Sequence, residues 1–123
     1  MRGEYLSDKL TKFITKDTGD HLKKDDGKSR LDLLPPEAII ALGDLYKVGA
    51  LKYTDRGWEE GMDWGRCAGA LLRHVFKWMK GEDYDPETGA HHMIAGAWGA
   101  FALYTYHVRK IGKDDRPCTT KTS

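Results

Sequence analysis

Two cysteines, Cys67 and Cys118, are all that the 123 residues contain, too few for a disulfide scaffold or a four-cysteine zinc site. An excess of one charge is lacking as well: 20 Lys and Arg stand against 19 Asp and Glu, a formal net charge of +1. A protein that coats nucleic acid needs surplus cations facing the phosphates, so no nucleic-acid partner is expected and any anion recognition must be local. No run of about 18 apolar residues occurs and mean hydropathy is -0.63, so no membrane contact is expected. The opening MRGEYLSDKL lacks the apolar core of a secretory leader, and a cytoplasmic location follows as the expectation. Apolar/polar alternation never persists beyond a few residues, which removes the signal for β-strands. The length suits one small domain.

What is present divides into three parts. Residues 1–28 are polar with mixed charges and read as a flexible arm, with one short amphipathic helix around Tyr5–Ile14. Residues 112–123 offer nothing to bury and read as a mobile tail. Between them, residues 29–111 carry three helical patterns. The first enters through Pro35 and Pro36, which a helix start tolerates, and runs from Glu37 to about Tyr53. The second runs from about Asp63, an N-cap type, to Lys80, with Gly81 as its stop signal. The third runs from about His91 to Lys110, with His92, Ala95, Gly99 and Ala102 on one seam. The expected fold is an all-α small helical bundle. Three helices bury little surface for so small a chain, so a homo-oligomer is expected.

The second helix has two unlike faces. Arg66, Arg73, Lys77 and Lys80 make a basic stripe, while Cys67, Leu71, His74, Val75 and Trp78 make an apolar one. The loop after it holds four acids in six positions, Glu82, Asp83, Asp85 and Glu87. It joins the helix of His74 to the helix of His92, so in an antiparallel pair the acids hang near both imidazoles. Carboxylates mixed with neutral imidazoles suit a divalent cation such as Mg²⁺, Mn²⁺ or Zn²⁺. Glu37 and Asp44 share one face of the first helix, and apolar neighbours Ile40, Ala41 and Val48 predict partial burial of Asp44. Each of these residues also has an ordinary structural role open to it: Glu37 as a partner of the helix dipole, the histidines as core residues, the acidic loop as a solvated charge run. Lys28, Arg30, Lys52, Arg56 and Arg73 are cations suited to phosphates. Tyr53, Trp58, Trp64 and Tyr84 are rings suited to a base, whereas Trp78 and Trp98 read as core. Acids for a metal, cations for phosphates and rings for a base together point to a nucleotide hydrolase.

The string Gly27-Lys28-Ser29-Arg30-Leu31-Asp32-Leu33-Leu34-Pro35-Pro36-Glu37-Ala38 is followed by Tyr46, Gly49-Ala50-Leu51-Lys52-Tyr53 and Trp58. Then come Arg73-His74, Trp78, Gly81-Glu82, Asp85-Pro86-Glu87-Thr88-Gly89 and His92. In combination these resemble the phage-associated dATP/dGTP diphosphohydrolase N-terminal family, grouped with small all-α MazG-like nucleotide pyrophosphohydrolases. The resemblance covers about residues 27–103. It implies metal-dependent hydrolysis of a purine deoxynucleoside triphosphate to monophosphate and pyrophosphate, with Mg²⁺ or Mn²⁺ as cofactor, in the host cytoplasm. It places Glu37, Asp44, His74, Asp85 and His92 at the metal, and Glu82 as general base. Lys28, Arg30, Lys52, Tyr53, Trp58 and Arg73 would face the nucleotide.

The chain departs from that pattern twice. It has no Glu-x-x-Glu pair, and Ala95 stands where relatives carry the second histidine of a His-x-x-His pair with His92. The second departure keeps a rival reading open, a phage protein that binds and sequesters a nucleotide without cutting it.

Overall fold

The computed structural model describes residues 7–15, 28–52 and 54–118. Among them lie four α-helices: α1 (Asp8–Thr15), α2 (Pro36–Lys52), α3 (Trp64–Met79) and α4 (His92–Arg109). Short 3-10 turns occupy Leu31–Leu33 and Gly57–Glu60. No strand forms among the described residues, only isolated bridges between Asp63 and Lys113 and between Tyr84 and His91. The all-α bundle expected from periodicity is the fold found. No described helix is long and apolar enough to cross a membrane.

The chain separates at Pro35 into two compact units. In the first, the Ser7 hydroxyl caps α1 by accepting from the Leu10 N–H at 3.1 Å. In the second, α3 and α4 pack most closely and α2 lies on α4. Small residues permit that closeness. A Cβ on Gly99 would stand 3.3 Å from the Leu71 Cβ, and the Cys67 thiol reaches the Gly99 carbonyl at 3.6 Å.

Cys67, Ala102 and Tyr106 form the buried centre, flanked by Trp58, Met62, Trp64, Trp98, Leu103 and Ile111. The Tyr106 hydroxyl donates to the Trp58 carbonyl at 2.7 Å, so the largest buried ring also satisfies its polar end. Trp78, read as core from its stripe, is 44% exposed. Leu72, Phe76 and Met79, beside it on α3, are also exposed, as are Phe101 and Tyr104 on α4. An apolar stripe marks a face but does not say that a neighbour covers it.

Residues 112–116 hold contacts of their own. Trp64 N–H donates to the Lys113 carbonyl at 2.9 Å, Gly65 N–H donates to Asp115 Oδ1 at 2.7 Å, and the Arg116 guanidinium lies over the Trp64 ring. Gly112 makes the approach possible at a φ of 78°, and a Cβ there would run into the Met62 carbonyl. Gly112→Ala therefore combines left-handed strain with a clash and is expected to cost at least about 1–3 kcal/mol. Thermal unfolding followed by circular dichroism checks this, at about 4–8 °C of Tm per kcal/mol; an unchanged Tm would refute the contact.

Candidate functional site

The C-terminus of α3 sets the site's geometry. Gly81 takes a φ of 102°, its N–H donates to the Trp78 carbonyl, and the Glu82 N–H donates to the Lys77 carbonyl. These two bonds make a Schellman cap that turns the chain back beside α3. The loop then closes on itself: Asp85 N–H donates to the Ala90 carbonyl at 2.8 Å, Gly89 N–H to the Asp85 carbonyl at 2.7 Å, and His92 N–H to the Asp83 carbonyl at 2.9 Å. The Asp85 carboxylate accepts the Glu87 N–H at 2.9 Å, an Asx-type turn that Asp-Pro-Glu encodes locally. Asp85 is thereby held in one place, 6% exposed.

Ligand-type atoms of His74, Asp85 and His92 all lie within 4.8 Å of one another. His92, the first residue of α4, is fully buried. Its Nε2 stands 2.7 Å from Glu82 Oε1, and its Nδ1 stands 2.9 Å from Nδ1 of His74. A carboxylate only accepts, so Nε2 of His92 carries the proton. In the neutral ring Nδ1 is then a lone pair, to which His74 Nδ1–H donates. The 2.9 Å separation is that of an N–H···N hydrogen bond, and a cation bound by both Nδ1 atoms would require the His74 proton to move to its Nε2. Two imidazole nitrogens, a buried carboxylate and an outer carboxylate orienting one ring fit a divalent cation. That donor set suits Mn²⁺ or Zn²⁺ better than Mg²⁺, which prefers oxygen.

Two groups carry shifts with clear causes. Burial, reinforced by the neighbouring His92 ring, holds His74 below its ordinary 6.5 against the opposing pull of Asp85. The Glu87 N–H holds the Asp85 carboxyl below its ordinary 3.8. Folded His74 resists protonation, so the unfolded chain takes up the extra proton first and stability falls as pH drops below about 6.5. The Asp85 contribution is present above 3.8 and is lost as pH falls through its lower folded value. Both act in one direction. Tm of chelator-treated protein is expected to decline as pH is lowered from about 6.5, and His74→Gln should flatten the upper part of that decline. An equal slope in the variant would contradict the assignment.

His74 and Asp85 border a cleft of about 1280 Å³ whose opposite wall is α2, while the fully buried His92 does not reach its surface. The cleft gathers Glu37, Asp44, Lys52, Arg73, His74, Tyr84 and Asp85 from the residues singled out in the sequence. It adds Arg66, which the basic stripe had flagged, and Ala95. Asp44 is exposed, which corrects the partial burial expected of it: Ile40 and Val48 are themselves 64% and 55% exposed and shield nothing. His92 lies beneath His74 with Glu82 on its other side. Trp58 lines a neighbouring cavity with Tyr46, which the family resemblance includes without assigning it a role. Trp64 donates its indole N–H to the Ile111 carbonyl and packs against the core. Lys28 and Arg30 belong to the first unit, where Arg30 pairs with Asp32 at 2.9 Å. Tyr53 lies outside the described residues.

The family model described as dATP/dGTP diphosphohydrolase, N-terminal, matches residues 18–116. The chain belongs to that family. A dATP/dGTP diphosphohydrolase of Salmonella phage PMBT28 is 32% identical over 95 residues, which is 77% of this chain and 32% of that protein. This member of the dATP/dGTP diphosphohydrolase N-terminal family thus spans about a third of the length of the curated relative it matches. No solved structure matches it. The family match contains the whole His74, Glu82, Asp85 and His92 cluster.

Proposed function

We propose that this chain hydrolyses a purine deoxynucleoside triphosphate to the monophosphate and pyrophosphate with a divalent cation. The observation that carries the reading is the convergence of His74, Asp85 and the buried His92 at the wall of a cleft that also holds Lys52, Arg66 and Arg73. The name of the phage relative supports the substrate class.

His74, Asp85 and His92 would hold the cation, with Glu37 and Asp44 facing it across the cleft. Bound there, it would polarise a phosphoryl oxygen and lower the pKa of a water. Arg73, whose Nη1 lies over Gly69, would neutralise charge growing on the leaving pyrophosphate, together with Lys52 and Arg66. The 2.7 Å contact to His92 Nε2 supports a different task for Glu82 from the general base expected of it. Glu82 fixes the tautomer that leaves His92 Nδ1 as a lone pair. Glu82→Gln is expected to weaken Mn²⁺ binding about 10- to 100-fold with little change in Tm. An unaltered Mn²⁺ affinity would return Glu82 to a base or to no role.

The rival reading, nucleotide sequestration without cleavage, is favoured by one observation: Ala95 lines the cleft and brings no donor. Incubation with each dNTP and Mg²⁺ or Mn²⁺, with products separated by ion exchange, decides. Monophosphate with pyrophosphate, abolished by chelator, supports hydrolysis. Tight binding of unchanged nucleotide supports sequestration, and the absence of both binding and cleavage for every dNTP would overturn both readings.

A further inference from the structure

Beside the cleft lies a second cavity of about 750 Å³, and its walls differ in kind. Tyr46 of α2, Trp58 of the 3-10 turn and Trp98 of α4 form an aromatic cluster, with the Tyr46 ring 5.8 Å from that of Trp58 and 6.1 Å from that of Trp98. Gly49, Met62 and Trp98 line both spaces, so the two adjoin. At Gly49 an added Cβ would meet nothing within 4 Å, which leaves the junction open.

We infer that this cavity is the nucleobase subsite, taking a purine ring against Tyr46, Trp58 and Trp98 while the phosphates lie in the cleft. The inference rests on the reading of the cleft as the triphosphate site.

Three observations support that occupant. These rings pack edge-on or tilted against one another, and the surface they turn to the cavity can stack on any base, a two-ring base covering more of it than a one-ring base. The rim carries polar groups with no other engagement: Asp55, Glu60 and the Tyr46 hydroxyl have no hydrogen bond or ion pair among the described residues. Carboxylates there can accept from the exocyclic amino and ring N–H groups of a purine. Trp58 is also held in advance. Its carbonyl accepts from Tyr106, and the Arg109 guanidinium lies 5.9 Å from its ring centroid. The loop before it carries Arg56 in the left-handed region at a φ of 58°, a conformation uncommon for a side-chain-bearing residue.

Binding of deoxyguanosine, which has no phosphates, tests the subsite apart from the cleft. Its titration into the protein, followed by indole N–H signals in two-dimensional NMR, is expected to shift Trp58 and Trp98 and to leave Trp78 in place. Thymidine should bind more weakly. Tyr46→Leu should weaken deoxyguanosine about tenfold, the scale of one lost stacking partner. Gly49→Leu, which places a good helix former where space is open, should weaken dGTP about as much by closing the junction. The ratio of affinities for dGTP over inorganic tripolyphosphate should be at least about tenfold in the wild type and should collapse in Tyr46→Leu. Shifts at Trp58 and Trp98 without any tripolyphosphate binding would overturn the triphosphate reading of the cleft and leave the subsite standing. Failure of deoxyguanosine to move Trp58 or Trp98, or equal affinity of wild type and Tyr46→Leu, would overturn the subsite.

Discussion

Asp85→Asn is expected to lower dGTP hydrolysis by roughly two orders of magnitude or more, at about 1.4 kcal/mol per factor of ten. The substitution keeps volume and leaves an oxygen to accept the Glu87 N–H, the contact that holds this side chain in its turn. What it removes is the negative charge, and that charge sits 6% exposed beside two imidazoles. A buried carboxylate there is costly unless a cation or strong donors compensate it. Tm should therefore change little while kcat falls. Loss of fold and activity together would make Asp85 a structural residue, and near-normal turnover would remove it from the site.

The second large effect lies in the core. Tyr106→Ala is expected to destabilise the fold by about 3–5 kcal/mol, a large share of the roughly 5–15 kcal/mol typical of a domain. Tyr106 is fully buried, and it reaches across to the turn before α3 through the Trp58 carbonyl. Tyr106→Phe keeps the ring and strips only that bond, so its cost should be smaller, about 1–3 kcal/mol for the carbonyl left without its donor. Denaturant titrations of both variants give the two numbers. A loss below about 1 kcal/mol in Tyr106→Ala would contradict the placement of this ring at the centre of the core.

Helix ends were legible because local chemistry writes them. Pro36 opens α2, Asp63 precedes α3 and Gly81 follows it, and the expected limits lie within about two residues of those found. The approach of the acidic loop to His74 and His92 was legible too, since a short loop between antiparallel helices sets its acids at their joined ends; the direct contact of the two imidazoles was not. Contacts that depend on distant parts of the chain were not. Tyr106 and Trp58 lie 48 residues apart, and no spacing rule joins them. Asp44 and Trp78 show a different limit. Periodicity identifies a shared face, but whether another helix covers it is settled by packing, and for Ile40, Val48 and Trp78 none does so fully. The resemblance singled out Glu82 as a general base; that it is the acid meeting His92 depends on the turn made by Gly81.

Under the proposed function, His74, Asp85 and His92 hold a divalent cation on which nucleotide hydrolysis depends. Titration of Mn²⁺ into chelator-treated protein, read by electron paramagnetic resonance, with dGTP hydrolysis measured at each concentration, addresses it. Activity is expected to rise in step with occupancy of a site that His74→Gln and Asp85→Asn both abolish. Full hydrolysis without metal, or equal Mn²⁺ occupancy in wild type and both variants, would contradict it.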